Sequence, residues 1–482
     1  MVHVFSSLGG DFALDVESGT LVRLDNAAKK IIEFLNGVAL SSNNQNSQLS
    51  PAIGTGDFLV CALDNYQYSD GKTEREEEKE AAQEIKELIQ EGLLFSEGGC
   101  EEIPKHSGLV KALCLNVSHN CDLRCKYCFA DGGSYNTKRK NMPFDVAKAA
   151  IDFLVERSGT RKNLEIDFFG GEPLLNMDIV KKTVAYAREL EKKRGKNFRF
   201  TITTNAVGLN DELTDYFNKE MYNVVISIDG RENVHNSVRL DASGRGSFSQ
   251  VLGAAKRFRE RRGGKLYYIR GTFTALNKDF SADVLAINDY GFDQISLEPV
   301  VLPPDHPLAL TENDLPQLKA QYEVLAEEYV KRNGVLSKAS AEETARGGAA
   351  TGENRKFIFF HFNVDFEGGP CLKKRVTGCG AGCEYLAVNP DGDIFPCHRF
   401  DGKNEYKIGN VLNGEFDDTI PKSFAASCVY TKDECKSCFC KYYCGGGCAA
   451  NSIEYGGGIN GRYAIGCELM KKRIEVALTI RE

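Results

Sequence analysis

Cys121, Cys125 and Cys128 form a C-x3-C-x2-C loop, three of seventeen cysteines in the chain. Zinc structural sites and ordinary ferredoxin clusters take four protein ligands. Three thiolates in one tight loop can hold a [4Fe–4S] cluster and leave one iron open to a non-protein ligand. A zinc loop that borrows a distant fourth ligand is the alternative. Eleven further cysteines lie between Cys371 and Cys467. Four of them, Cys435, Cys438, Cys444 and Cys448, are spaced C-x2-C-x5-C-x3-C; upstream runs Cys379-x12-Gly392-x4-Cys397, and downstream stands Cys467. Dense thiols in a reducing compartment serve metals or redox chemistry more often than disulfides. The scattered Cys61, Cys100 and Cys114 read as structural thiols. His398 directly follows Cys397, where an imidazole could accept or donate a proton, or merely hydrogen-bond to its surroundings. In Phe169-Gly170-Gly171-Glu172-Pro173 the glycines admit close backbone approach to a ligand. Glu172 there offers an acceptor to an ammonium, although a plain turn would look the same.

These groups need a scaffold. From residue 109 to about 300, six β-rich runs (LVKALCLNV, LEIDFF, FRFTITT, YNVVISI, LYYIRGTFT and FDQISLEPV) alternate with helical patterns at about 145–157, 177–194, 210–219, 247–261 and 281–290, with another near 312–332. That alternation predicts an α/β fold with right-handed crossovers and a parallel sheet. Its active site belongs at the C-terminal ends of the strands. Asn116 to Cys128, Gly170 to Pro173, Asn205, Ser227 to Gly230, Arg270 and Glu298 would share that mouth. Residues 1–105 read as a small α+β unit: a hairpin around Ser18-Gly19, a helix at about Asn26–Leu35, an irregular insertion from Leu40 to Gly71, and a charged helix with Ile85, Leu88 and Ile89 on one face. The small, polar stretch 339–355 reads as a linker. The segment 371–467 shows little helical periodicity, is expected to bury no conventional core, and would need cross-links or clusters to hold its shape.

Composition narrows the class. Apolar residues at 42 % and charged residues at 27 % of 482 exclude wholesale disorder. A net charge of −8 with interspersed signs points away from nucleic acid. No run of eighteen apolar residues exists to span a membrane. MVHVFSSLGGDF lacks the basic-then-apolar order of a secretory signal, so a cytoplasmic location is expected.

With the three-cysteine loop after the first strand, Phe129 behind it and the Gly-Gly-Glu-Pro turn after the second strand, the chain resembles the radical S-adenosylmethionine (SAM) superfamily. The resemblance implies a partial (β/α)6 TIM-like barrel. Its open iron would bind the amino and carboxylate groups of SAM, and one electron would release a 5′-deoxyadenosyl radical that abstracts a substrate hydrogen. It places cofactor contacts at Phe129, Gly170, Gly171, Glu172, Pro173, Asn205, Ser227, Asp229 and Arg270. For the methionyl carboxylate Arg270 is preferred over Arg239, which reads as a surface residue. The C-terminal field resembles the seven-cysteine pattern of SPASM domains, which hold two auxiliary [4Fe–4S] clusters and bring the total to three. By that family's interleaving, Cys435, Cys438, Cys444 and Cys467 hold the distal cluster, and Cys379, Cys397 and Cys448 the proximal one. The fourth proximal ligand is Cys371, Cys383 or a substrate thiolate at an open position. Cys428 and Cys440 fall outside the pattern. Two zinc ribbons are the alternative.

The stretches KALCLNVSHNCDLRCKYCFA, YIRGTFT, EGGPCLKKRVTGCGAG and EYLAVNPDGDIFPCHRF most resemble the thioether-forming SCIFF, or ranthipeptide, maturases of cysteine-rich peptides. Cys383 and the Leu40–Gly71 insertion depart from that group. The resemblance implies four parts: a winged-helix-like precursor-recognition domain (1–105), the radical SAM barrel (106–338), a linker or bridging region (339–370), and a SPASM domain with a closing helix (371–482). A leader peptide would add as a strand near Gly19–Asp25, and a flavodoxin or ferredoxin would supply electrons. His398 is a candidate catalytic group. The implied reaction joins a cysteine sulfur to carbon. Alternatives are carbon–carbon or carbon–oxygen crosslinking, Cys/Ser oxidation of the sulfatase-maturase type, and, in another class, a zinc-stapled peptide-binding protein.

Overall fold

Leu8 and Gly9 both adopt positive φ, 47° and 75°, and turn the chain between β1 (Val2–Ser7) and β2 (Gly10–Asp15). Two such residues give the twist that a two-residue hairpin needs. The computed structural model describes residues 2–45, 55–98, 102–334, 356–364 and 372–481. The predicted hairpin is present as β2 and β3 (Leu21–Leu24), and β1 extends it to a three-stranded antiparallel sheet. Helix α1 (Asn26–Gln45) runs ten residues past its expected end, and α2 (Thr55–Leu63) occupies part of the supposedly irregular insertion. The apolar run Phe58–Val60, with Ala62 and Leu63, overrides the surrounding Ser and Asn. Leu59 and Leu63 are buried with Ile31, Ile32 and Leu35 of α1 and with Ile85 and Ile89 of α3 (Lys72–Gln90).

The six expected strands all form: β4 (Ala112–Ser118), β5 (Asn163–Gly170), β6 (Asn197–Thr204), β7 (Asn223–Ser227), β8 (Tyr267–Phe273) and β9 (Gln294–Pro299), each parallel to the next. The crossovers carry α4 (Phe144–Arg157), α5 (Met177–Arg194), α6 (Asp211–Glu220), α7 (Glu232–Val238), α8 (Phe248–Arg262) and α9 (Phe280–Asp289), and α10 (Leu315–Asn333) follows β9. Period-two alternation along β5 and β6 sends Ile166, Phe168, Phe200 and Ile202 to the helix-covered face, where each is fully buried. Burying such a side chain contributes about 1.5–3 kcal/mol. The opposite face of these strands lines the barrel lumen.

The sheet does not stop at six strands. β10 (Ile358–Phe359) pairs parallel with β9 at one edge. At the other edge β11 (Tyr385–Val388) pairs parallel with β4, and β12 (Asp393–Phe395), β13 (Gly409–Asn410) and β14 (Glu415–Phe416) continue antiparallel. The expectation that the cysteine-rich segment has no conventional core is corrected here. Leu386, Val388, Ile394 and Ile408 are buried in the same core as the barrel. Part of the 339–370 bridging region is likewise packed: Phe357, Phe359 and Phe362 are buried against it. The stretch 339–355, with Cys371 and Cys100, lies outside the described residues. The closing helix is Ala464–Thr479. Among the described residues no helix is long and apolar enough to cross a membrane.

Candidate active site

The three-cysteine loop leaves the C-terminal end of β4 and is strapped to the end of α7 and the segment after it: the Lys126 amide donates to the Val238 carbonyl at 2.9 Å and the Arg124 amide to the Leu240 carbonyl at 2.6 Å. It also touches the turn after β5. A Cβ on Gly171 would stand 2.2 Å from the Asn120 carbonyl oxygen, and Gly133 packs against the same two backbones. Only glycine allows that approach. The Gly170 carbonyl accepts from Tyr135 Oη at 3.2 Å. Glu172 is buried and accepts from the Leu174 amide (3.0 Å), Thr204 Oγ1 (2.7 Å) and the Asn205 amide (2.8 Å). Burial nevertheless pushes its carboxyl up to about 7, against those hydrogen bonds. Asn205 Nδ2 donates to Asp122 Oδ1 at 2.6 Å and lies 3.7 Å from Cys121 Sγ. Burial pushes the Cys121 thiol up to about 12 and the Cys125 thiol up to about 11. Holding them as thiolates therefore calls for a strong positive charge such as iron.

The cavity these residues line has a volume of about 640 Å³, and its far wall carries Cys379, Cys397 and Cys448. The six cysteines predicted for the radical and proximal clusters thus face one space. Phe129, Gly170, Gly171, Glu172, Asn205, Ser227, Arg270, Glu298 and His398 line it too. The His398 ring lies 4.8 Å from that of Phe169 and 5.6 Å from that of Phe129, and its Nδ1 is 3.5 Å from Tyr385 Oη. Burial first, then Arg399 and Arg270, push its imidazole down to about 3, so it faces the cavity neutral. Glu298, at the end of β9, is ringed by Arg473, His361 and Arg270, whose fields outweigh burial and hold its carboxyl down at about 2.

Some predicted residues lie elsewhere. Asp229 does not line the cavity; it is fully buried behind the loop, accepting from Tyr127 Oη (2.5 Å) and the Thr272 amide (3.1 Å). Pro173 is buried beneath the turn at the start of a short 3-10 helix. Cys383 lines a neighbouring pocket of about 350 Å³, and its Sγ donates to the Pro421 carbonyl at 3.4 Å. Cys435, Cys438, Cys444 and Cys467 form a separate set, in which Cys438 and Cys467 act on Cys435 and Cys438 acts on Cys467. The field of the other three adds to burial in pushing the Cys444 thiol up to about 12, whereas hydrogen bonding from Cys440 pulls Cys438 down to about 6.

Other residues were ranked low or passed over in the sequence. Arg239, the second choice for the methionyl carboxylate and taken for a surface residue, is 8 % exposed and lines the cavity; its Nη1 donates to Tyr127 Oη at 2.8 Å, while its Nε has no hydrogen-bond partner among the described residues. His119, two residues before Cys121, donates Nε2–H to Asp401 Oδ2 at 2.7 Å, which also accepts from Asn116 Nδ2 at 2.6 Å. That buried knot ties the radical loop to the segment carrying Cys397 and His398. Lys432, 4 % exposed, donates to the Gly446 carbonyl at 2.9 Å and Ser452 Oγ at 3.3 Å. Burial pushes its ammonium below the usual lysine range, and the thiols of Cys435, Cys444, Cys467 and Cys448 oppose that shift. The proximity of Cys397 to Asp401 and of Cys435 to Lys432 was the only local signal.

Comparison with known proteins agrees with the geometry. Residues 115–274 match the Radical SAM superfamily and residues 379–440 the SPASM iron–sulfur cluster-binding domain. The chain carries a radical SAM domain followed by a SPASM domain. Radical SAM and SPASM domains imply [4Fe–4S] clusters and SAM binding, and the thiols facing the cavity suit such a donor set. The enzyme is 26 % identical over 353 residues to a cysteine-type anaerobic sulfatase-maturating enzyme of Clostridium novyi, covering 70 % of this chain and 86 % of that protein. It is 27 % identical over 138 residues to the radical SAM cyclopropyl synthase TigE of Paramaledivibacter caminithermalis, covering 26 % and 28 %. In fold it is similar to anSMEcpe with bound AdoMet (TM-score 0.60, 19 % identity, 77 % of this chain and 97 % of that one). SuiB of Streptococcus suis bound to S-adenosylmethionine covers more of the radical SAM enzyme: TM-score 0.52, 18 % identity, 96 % of this chain and 98 % of that one.

Proposed function

We propose that this radical SAM enzyme installs thioether crosslinks in a cysteine-rich precursor peptide. The observation that carries the reading is that Cys121, Cys125 and Cys128 face Cys379, Cys397 and Cys448 across one cavity. A peptide seated there has a radical source on one side and a sulfur-binding site on the other. When bound, SAM would supply the hydrogen-abstracting radical chemistry. Glu172 would hold the ammonium of SAM, and Arg239 and Arg270 its carboxylate. Asn205 and Ser227 add polar contacts, Phe129 and the two glycines shape the wall, and Asp229 acts indirectly by holding Tyr127 against Arg239. The distal cluster takes Cys435, Cys438, Cys444 and Cys467, for three clusters in all. Cys383 is turned toward Pro421, which supports an open proximal position for a substrate cysteine unless Cys371 fills it. His398, neutral and facing the cavity, is placed to accept a proton from that cysteine.

In this reading residues 1–105 are the leader-recognition domain. β3 is an outer strand of its sheet, which supports addition of a peptide strand at Gly19–Asp25. Residues 106–338 are the barrel, 339–370 bridge, and 371–482 are the SPASM part; a flavodoxin or ferredoxin supplies electrons and the enzyme works in the cytoplasm. The test is anaerobic co-expression with a cysteine-rich peptide, followed by reduction, alkylation and weighing. A loss of two hydrogens per bridge matched by one unalkylated cysteine supports the thioether. Hydrogen loss with every cysteine still alkylated overturns it in favour of carbon–carbon or carbon–oxygen linkage. The similarity to a sulfatase-maturating enzyme over most of the chain favours one second reading, oxidation of a single Cys or Ser. Conversion of a sulfatase-derived peptide to an aldehyde would identify it.

A further inference from the structure

Lys432 is buried, yet among the described residues no carboxylate forms an ion pair with it, and its two hydrogen-bond acceptors are neutral: the Gly446 carbonyl and the Ser452 hydroxyl. A buried ammonium without an opposing charge is strongly destabilising. The thiols of Cys435, Cys444, Cys467 and Cys448 lie near enough for their charge to oppose the effect of its burial. Three of these belong to the distal set and one to the proximal set, so the amine stands between the two. The backbone reinforces that place. The Cys435 amide donates to the Lys432 carbonyl at 2.9 Å, and Gly446 lies in the short Cys444–Cys448 link that joins the sets. Lys432 thus holds that link by its middle carbonyl.

We propose that Lys432 is a positioning residue that serves both auxiliary iron–sulfur sites as one shared positive charge, making each easier to reduce. The proposal rests on the reading that these cysteines hold two clusters. One electron entering either site adds one negative charge, with no proton and no leaving group. A nearby ammonium favours that state, because charge interactions are strong where water is excluded.

The experiment is a dithionite titration of the reconstituted full-length enzyme, followed by electron paramagnetic resonance. A background in which Cys121, Cys125 and Cys128 are Ala removes the third signal. Lys432→Met and Lys432→Gln should each make both auxiliary sites about tenfold harder to reduce, a fall of ~59 mV for one electron, while Lys432→Arg stays near the parent. Lys436→Met removes an exposed lysine paired with Asp433 and should leave both potentials in place. Unchanged potentials in the neutral variants, or an equal fall in Lys436→Met, overturn the proposal. If the neutral variants lose iron and the Arg variant keeps it, the demand for a charge is upheld; iron lost from all three means that shape decides, and overturns it. A parent that carries no auxiliary iron at all refutes the two-cluster reading itself, a result separate from any shift among variants.

Discussion

The two walls of the cavity are built on different principles. The barrel wall ends strands whose helix-covered faces are packed with Phe168, Phe200, Ile202 and Ile226, all fully buried. Beyond the other wall, the separate cysteine set sits on short helices, Asp433–Lys436 and Lys441–Cys444 of four residues each. It also has a small local core of Val376, Cys428, Val429 and Tyr430. Helices that short do not form on their own. The barrel's shape is therefore a property of its side chains, whereas the distal cysteine region, on the proposed reading, would draw on the bonds of bound iron to keep its shape. The radical site combines the two: its ligands sit on a loop, but glycines and strand ends on a rigid sheet hold that loop.

The contrast predicts separable failures. The largest effect belongs to a Cys121/Cys125/Cys128→Ala variant, in which 5′-deoxyadenosine production falls to background while far-UV circular dichroism is unchanged; lost dichroism would show that the barrel too depends on iron. Next, Phe168→Ala should destabilise the barrel by about 3–5 kcal/mol in urea titrations, with or without iron. Chelating the iron should speed amide hydrogen exchange through residues 428–467 by about a hundredfold and leave β5 and β6 unaltered. Equal acceleration in both would erase the distinction. Gly171→Ala forces the loop away from the turn and should weaken SAM binding by about tenfold, as measured by calorimetry. The smallest effect is on pH dependence. The Glu172 carboxyl titrates near 7, so SAM affinity should rise a few-fold as pH climbs through that value and the carboxylate forms, and Glu172→Gln should be flat. Folding stability moves the other way. Because the folded carboxyl holds its proton to higher pH than the ordinary value of 4.5, this group's contribution is greatest below about 4.5 and declines toward 7.

Much of the barrel was legible because its strands alternate with period two and its helices repeat apolar residues on one face; both are local signals. Its six strands and main helices lie within a few residues of their expected places. The missed elements have other causes. β1 turns on Leu8-Gly9 rather than an Asn-Gly pair, α2 hides in a Ser- and Asn-rich stretch, and β11 is too short to read without its partner β4. At the site, the cysteines and Glu172 were legible from spacing. Arg239, the His119–Asp401 bond and Lys432 were not, because each takes its meaning from groups remote in sequence, and an arginine or lysine in a polar stretch looks exposed until its partners are known. Asp229 was misplaced for the converse reason: a strand-end carboxylate looks like a ligand contact until Tyr127 is seen to claim it.

The pairing of β11 with β4 also bears on how the enzyme is made. β4 is the first strand of the barrel to leave the ribosome, and β11 lies late in the chain. At roughly 5–20 residues per second, the edge of β4 stays uncovered for tens of seconds after its other neighbour, β5, can pair with it. During that interval the nascent chain displays an open, apolar strand edge that other chains could join. Slowing synthesis between β5 and β11 should therefore raise the fraction lost to aggregation, and a chaperone that shields strand edges should recover it.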